Sequence, residues 1–225
     1  MEMIRWTDRV WYYPFESERD RPNLGYIRGD RWSLAVDAGH SEAHVKEFYA
    51  ALEKAGLPLP ALTVLTHWHW DHTFGIHAIH GLALGNGKTA GRLKAFRQEM
   101  AARGREFFLS IDESIRREYP GDTPVIIRDM DMVFTGEMLL DAGNCPVRLF
   151  QTEAPHTDDS TLVYVPGDRA LFIGDAACDE FRTGGKDMEK CRRLAAAIRE
   201  TGAEYCLEGH WTPLDTEQTL ADLLA

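Results

Sequence analysis

Trp32, Leu34 and Val36 alternate with smaller or polar residues, which predicts a half-buried strand ending at Asp37-Ala38-Gly39. Ser41 can then cap a helix whose apolar face is Val45, Phe48, Tyr49, Leu52 and Ala55, stopped by Gly56. Leu62 to Thr66 is a short apolar run that reads as a second strand. From Gly91 to Tyr119 the period turns helical: Leu93, Phe96 and Met100 share one face, Phe108, Ile111 and Ile115 another, with a break at Gly104. The texture then becomes β, with strands expected at Val125–Ile127, Met138–Leu140 and Val147–Phe150. Ser160–Val165 and Ala170–Ile173 flank Pro166-Gly167-Asp168-Arg169, a hairpin signal. Cys191, Leu194 and Ile198 mark a helix closed near Gly202. Tyr205–Leu207 is the last expected strand, followed by a short helix from Thr216 that buries Leu220, Leu223 and Leu224. Sheets covered by helices on their outer faces satisfy this order.

Composition narrows the class. The chain has 225 residues, 44% of them hydrophobic, enough for a sizeable core without disulfides. Cys145, Cys178, Cys191 and Cys206 form no Cys-x-x-Cys pair and read as reduced thiols. No apolar run approaches a membrane span, and the charged N-terminal stretch is not a secretory signal, so the expected location is cytoplasmic. A formal net charge of -11 argues against nucleic-acid or anionic-membrane partners and leaves a small-molecule substrate as the expected partner. Nothing in the sequence addresses oligomeric state.

The chemistry lies in the histidines. Thr66-His67-Trp68-His69-Trp70-Asp71-His72 follows an apolar strand directly. Side chains two apart in an extended segment point the same way, so His67 and His69 can bind one ion together. Asp71 and His72 lie where the chain turns and can face a second ion. Without a metal, such a cluster would hold unsatisfied or mutually repelling polar groups. His156, Asp175 and His210, each taken alone, read more often as loop or capping residues than as ligands. Each, however, lies just past an apolar strand, so one sheet edge can gather them with the first cluster. Seven nitrogen and oxygen donors exceed the needs of one four-coordinate ion and argue for two divalent ions, with zinc favoured and iron or manganese compatible.

The His-x-His-x-Asp-His motif with later His, Asp and His resembles the metallo-β-lactamase superfamily, from Asp37-Ala38-Gly39 to Glu208-Gly209-His210. The resemblance implies an α+β fold, a four-layer αββα sandwich spanning 1–225 as a single domain, with a helical insert at about 91–119. It implies that His67, His69 and His156 hold one metal, that Asp71, His72 and His210 hold the other, and that Asp175 bridges them. His72 together with Asp175 is similar to the glyoxalase II and lactonase type. Lactonases usually show a tyrosine soon after the bridging aspartate, where Phe181 is the nearest aromatic here. The implied activity is that of a metallo-hydrolase, in which a metal-bridging hydroxide oriented by Asp71 attacks a small-molecule ester, thioester, lactone or lactam. Two alternatives in the same fold are a mononuclear iron persulfide dioxygenase-like oxidoreductase and a metal-dependent phosphodiesterase or nuclease.

The remaining residues carry secondary expectations. His40, His44, His77 and His80 read as surface or capping positions, with His40 able to contact the site through the Asp37-Ala38-Gly39 turn. Trp68 and Trp70 read as packing supports for the metal loop. Specificity is assigned to Gly91–Tyr119, as an apolar wall or mobile lid, because the ligands themselves are generic; the alternative is that this segment is scaffold.

Overall fold

The computed structural model describes residues 1–181 and 183–225. A seven-stranded sheet runs in chain order through β1 (Ile4–Arg5), β2 (Val10–Tyr13), β3 (Leu24–Arg28), β4 (Ser33–Val36), β5 (Leu62–Val64), β6 (Leu82–Asn86) and β7 (Met132–Phe134). Its first four strands pair antiparallel, and β4 to β7 pair parallel. The second sheet contains β8 (Glu137–Asp141), β9 (Pro146–Thr152), β10 (Ser160–Val165), β11 (Ala170–Gly174), β12 (Tyr205–Glu208) and β13 (Leu214–Asp215). Its six strands lie in the order β13-β12-β11-β10-β9-β8, and only β11 and β12 are parallel.

Alternation along these strands makes four layers. Val36, Val64 and Leu84 of the first sheet meet Val147, Leu149, Val163, Phe172 and Leu207 of the second in one buried cluster. The outer face of the first sheet, Tyr13, Leu24, Tyr26 and Ala35, is covered by Phe48, Ala51 and Leu52 of α1 (Glu42–Lys54). Ser41 caps α1 by accepting from the His44 amide, and Gly56 follows in the left-handed region, as the sequence pattern requires. On the second sheet, Leu162, Tyr164, Leu171 and Ile173 pack beneath Cys191, Leu194 and Ile198 of the helix Met188–Thr201 and Leu220 and Leu223 of the helix Thr216–Leu224. This is the expected αββα sandwich.

Between β6 and β7 lie α3 (Gly87–Arg103), α4 (Arg105–Leu109) and α5 (Glu113–Glu118), after a one-turn α2 (Trp70–Thr73). The break at Gly104 is present. The first of these helices begins a turn earlier than the apolar period alone suggests, because the Asn86 side chain accepts from the Lys88 and Thr89 amides. Val125–Ile127 forms no strand. Val125 and Ile127 instead lay their side chains against the aromatic cluster of Trp68, Trp70, Phe74 and Phe96, and the strand that joins the sheet is β7. Alternating burial without a ladder partner produces the same sequence pattern as a strand.

Candidate metal centre

The first sheet delivers Asp37 after β4 and His67 to His72 after β5, while the second delivers His156 after β9, Asp175 after β11 and His210 after β12. All sit at one rim of the sandwich. Ligand-capable atoms of His67, His69 and His156 lie within 4.8 Å of one another, as do those of Asp71, His72, Asp175 and His210. Asp175 stands between the two sets. Its Oδ2 is 3.3 Å from His72 Nε2, 3.6 Å from His210 Nε2, 3.8 Å from His156 Nε2 and 4.0 Å from His67 Nε2. Thus the seven residues read from the sequence converge.

Neighbouring groups fix which ring nitrogen faces inward. His72 Nδ1 donates to Asp37 Oδ2 at 2.7 Å, and His156 Nδ1 donates to the Asp179 carbonyl at 2.7 Å. Thr66 Oγ1 donates to Asp37, so it accepts from His67 Nδ1 at 3.1 Å. In each ring Nε2 is therefore the nitrogen that faces the site. Asp37 is the functional residue that sequence reasoning passed over. It accepts from the Thr66 amide, the Thr66 hydroxyl and His72 at once, and it holds a left-handed φ of 66°. Its place at the end of an apolar strand, like that of the ligand candidates, was the available signal.

The site is tightly closed on one side. A Cβ at Gly209 would overlap Oδ1 of Asp175, so only glycine lets the chain pass. Asn23 Nδ2 donates to the carbonyls of Glu208 (2.8 Å) and Trp211 (2.7 Å), holding the loop that carries His210. On the open side is a cavity of about 340 Å³, bordered also by Ser17, Asp20, Asp112, Ser114 and Phe181.

Electrostatics divide the two donor sets. Burial pushes His67 well below the ordinary histidine range and His69 down to about 3, so both offer neutral lone pairs at neutral pH. Burial also opposes charge on His72 and His210, but the Asp71 and Asp175 carboxylates outweigh it, raising His72 well above its ordinary value and His210 to about 9. Burial would raise Asp71 and Asp175 as well, yet His72 and His210 hold both well below the carboxylate range. Asp20 is raised to about 7 by burial and by the charge of Asp71.

Divalent cations fit this arrangement. Among the described residues, the buried atoms His67 Nε2, His72 Nε2 and Asp175 Oδ1 have no hydrogen bond of acceptable geometry. His156 Nε2 faces His69 Nδ1 at 2.9 Å. Nitrogen and carboxylate lone pairs so crowded are what a borderline-soft cation accepts.

His40 and His44 are fully buried rather than at surface or capping positions. His40 Nδ1 donates to the Arg19 carbonyl at 2.9 Å, and the His40 amide donates to His44 Nδ1 at 3.3 Å, which compensates part of the burial. His77 and His80 do bond nearby carbonyls, of Phe74 and Pro60. Trp68 and Trp70 are packing residues, set against Phe96 and Phe108. Cys178 is no activated nucleophile, because burial and then Asp175 push its thiol far up.

Comparison with known proteins places this geometry. A family model described as the metallo-beta-lactamase superfamily matches residues 19–210. The chain is similar to an acyl-coenzyme A thioesterase MBLAC2 of Gallus gallus, 24% identical over 91% of this chain and 77% of that protein. It is also similar to an atrochrysone carboxyl ACP thioesterase of Aspergillus fumigatus, 24% identical over 82% of this chain and 49% of that protein. Among solved structures, DIM-1 metallo-beta-lactamase superposes with a TM-score of 0.69 at 18% identity, covering 99% of this chain and 96% of the other. A metallo-beta-lactamase from Pontibacter korlensis gives 0.66 at 16% identity, covering 99% and 98%.

Proposed function

This chain belongs to the metallo-beta-lactamase superfamily and is a metallo-hydrolase of that family. From that premise we propose that it works with two divalent ions, zinc before iron or manganese, and cleaves an acyl thioester or ester of a small molecule. The observation that carries the two-ion reading is the single Asp175 oxygen lying within 4.0 Å of nitrogens from both donor sets. His67, His69 and His156 would hold one ion, Asp71, His72 and His210 the other, with Asp175 between them. The thioester reading is supported by the two relatives, both named as thioesterases.

When bound, the ions supply an activated water and an electrophilic partner for the scissile carbonyl. The chain's own part is orientation. Asp71 is buried at the cavity wall, its Oδ2 3.1 Å from both His72 Nε2 and His210 Nε2, and offers a carboxylate to accept and aim the proton of the attacking water. Asp37 holds the His72 ring. Trp70 and Phe181 wall the cavity and keep bulk water from one flank.

The decisive test is turnover of a substrate panel: an acyl thioester, the matching oxygen ester, a lactone, a β-lactam and a phosphodiester. Zinc-loaded protein is expected to favour the thioester or ester. Preference for the phosphodiester would overturn the reading in favour of a phosphodiesterase. Oxygen uptake with a persulfide substrate and one firmly bound iron would overturn it in favour of the oxidoreductase.

A further inference from the structure

Beside the histidine–aspartate cluster lies a second cavity, of about 250 Å³, enclosed by Trp68, Trp70, Phe96, Phe107, Ile111 and Phe181. Trp70 and Phe181 line both cavities, so the two adjoin at these side chains. The Phe181 ring lies 5.6 Å from the His69 ring and 5.1 Å from that of Trp70. Trp68, Trp70 and Phe96 are each less than a tenth exposed, so the deep wall is fixed core. Phe107 and Ile111 are half-buried, Phe107 on α4 and Ile111 in the turn between α4 and α5.

Charge at this cavity is confined to its solvent side. Arg103 donates to Glu99 at 2.6 Å and lies over the Phe107 ring, 3.4 Å from its centre. The guanidinium is thus neutralised and stacked, leaving the interior to apolar contacts.

We infer that this aromatic cavity receives the acyl chain of the substrate, which passes Phe181 while the reacting carbonyl stays at the metal ligands. The assignment rests on the acyl-hydrolase reading above and adds the substrate class: thioesters or esters of a medium-length, unbranched apolar acyl group. The Glu99–Arg103 pair sets the length limit, because a chain that outgrows the cavity meets charge and water. Phe181, Phe107 and Ile111 are then specificity-determining residues.

The test is a series of N-acetylcysteamine thioesters from acetyl to dodecanoyl. For wild type, kcat/KM is expected to rise about fourfold per buried methylene, then level off once the cavity is full. Ile111→Trp fills the cavity from a half-buried position, and Phe181→Ala opens its mouth at an exposed one, where folding is not at stake. Each is expected to cut the octanoyl-to-acetyl ratio by about tenfold or more, the equivalent of two methylenes or so. A ratio unchanged in both variants, or a wild-type rate indifferent to chain length, overturns the assignment.

If no acyl compound is hydrolysed at any length, the acyl-hydrolase reading fails, and calorimetry with 1-decanol decides the cavity separately. That probe has an apolar chain and only a weak ligand for the metals. One-to-one binding that weakens about tenfold in Ile111→Trp upholds the subsite. Absence of binding to wild type overturns it.

Discussion

Arg21 Nε donates to Glu118 Oε2 at 2.7 Å, with both side chains sealed from solvent, though they are 97 positions apart in the chain. Arg21 also reaches Glu47 of α1 at 2.9 Å, and Glu118 accepts from the Ser41 hydroxyl. The end of the helical segment between β6 and β7 is thereby fastened to the N-terminal segment that carries Ser17 and Asp20 to the cavity rim. Tyr119 adds a bond to the His40 carbonyl at 2.5 Å.

A buried pair of this kind is a weak source of net stability, but removing one partner strands the other charge. Arg21→Met is therefore expected to cost about 3–5 kcal/mol in chemical denaturation. Adding Glu118→Leu in the same chain is expected to recover part of that loss. If the double variant is no more stable than Arg21→Met alone, the stranded carboxylate is not the cause.

Metal content provides the second check. Protein purified without chelators is expected to carry close to two divalent ions per chain by elemental analysis, and Asp175→Ala fewer. Because ions bind the folded state, a free-ion level a hundred times Kd adds about 2.7 kcal/mol. At about 2–4 °C per kcal/mol for a chain of this size, chelation is expected to lower Tm by roughly 5–11 °C. Two ions retained by Asp175→Ala, or a Tm indifferent to chelation, would remove the bridging role.

The sequence revealed the candidate ligands more readily than their supports, for a physical reason. His67, His69, His156, Asp175 and His210 each follow an apolar run, and strand ends gather at one rim whenever such runs become neighbouring strands. Arg21, Glu118, His40 and His44 give no such local sign. Charged residues ordinarily read as surface, and only their long-range pairing makes burial tolerable here. The strands Val10–Tyr13 and Leu24–Arg28 were hidden in a stretch of mixed charges and aromatics. Val125–Ile127 shows the converse, an alternating segment that packs without pairing. The Gly91–Tyr119 segment was legible as helical but not as scaffold or wall, and the structure divides it: Phe108 and Ile115 are fully buried in the aromatic core, while Phe107 and Ile111 line a cavity.

Asp37 gives the third expectation. Its carboxylate accepts from His72 Nδ1, which leaves Nε2 as the nitrogen that faces the site. Asparagine tolerates the left-handed backbone at this position. In Asp37→Asn, however, an amide turned to satisfy Thr66 presents N–H groups to the ring and favours the opposite tautomer. Weakening of metal affinity by about 10–100-fold is expected, read by chelator competition. Unchanged affinity would mean that the ring is held by packing alone.

The fourth expectation concerns acid stability and rests on His44. The ring is fully buried, and desolvation, reinforced by Arg21 and His40, holds its pKa well below the ordinary value of 6.5. In the unfolded chain the same ring takes up a proton near pH 6.5. Between that value and its lowered folded pKa, the unfolded state binds more protons, so stability falls as pH falls. Its contribution is fully present above about pH 6.5 and is lost progressively below, by at most about 1.4 kcal/mol per pH unit. His40 shifts in the same direction by burial and adds to the slope. The informative quantity is a difference between variants, measured in chelator. His44→Gln leaves a side-chain oxygen to accept from the His40 amide and has no proton to gain. It is expected to be less stable than wild type above neutrality, from imperfect packing, yet to lose less stability between pH 6.5 and 5. Parallel curves for the two proteins over that interval would show that His44 does not titrate on unfolding.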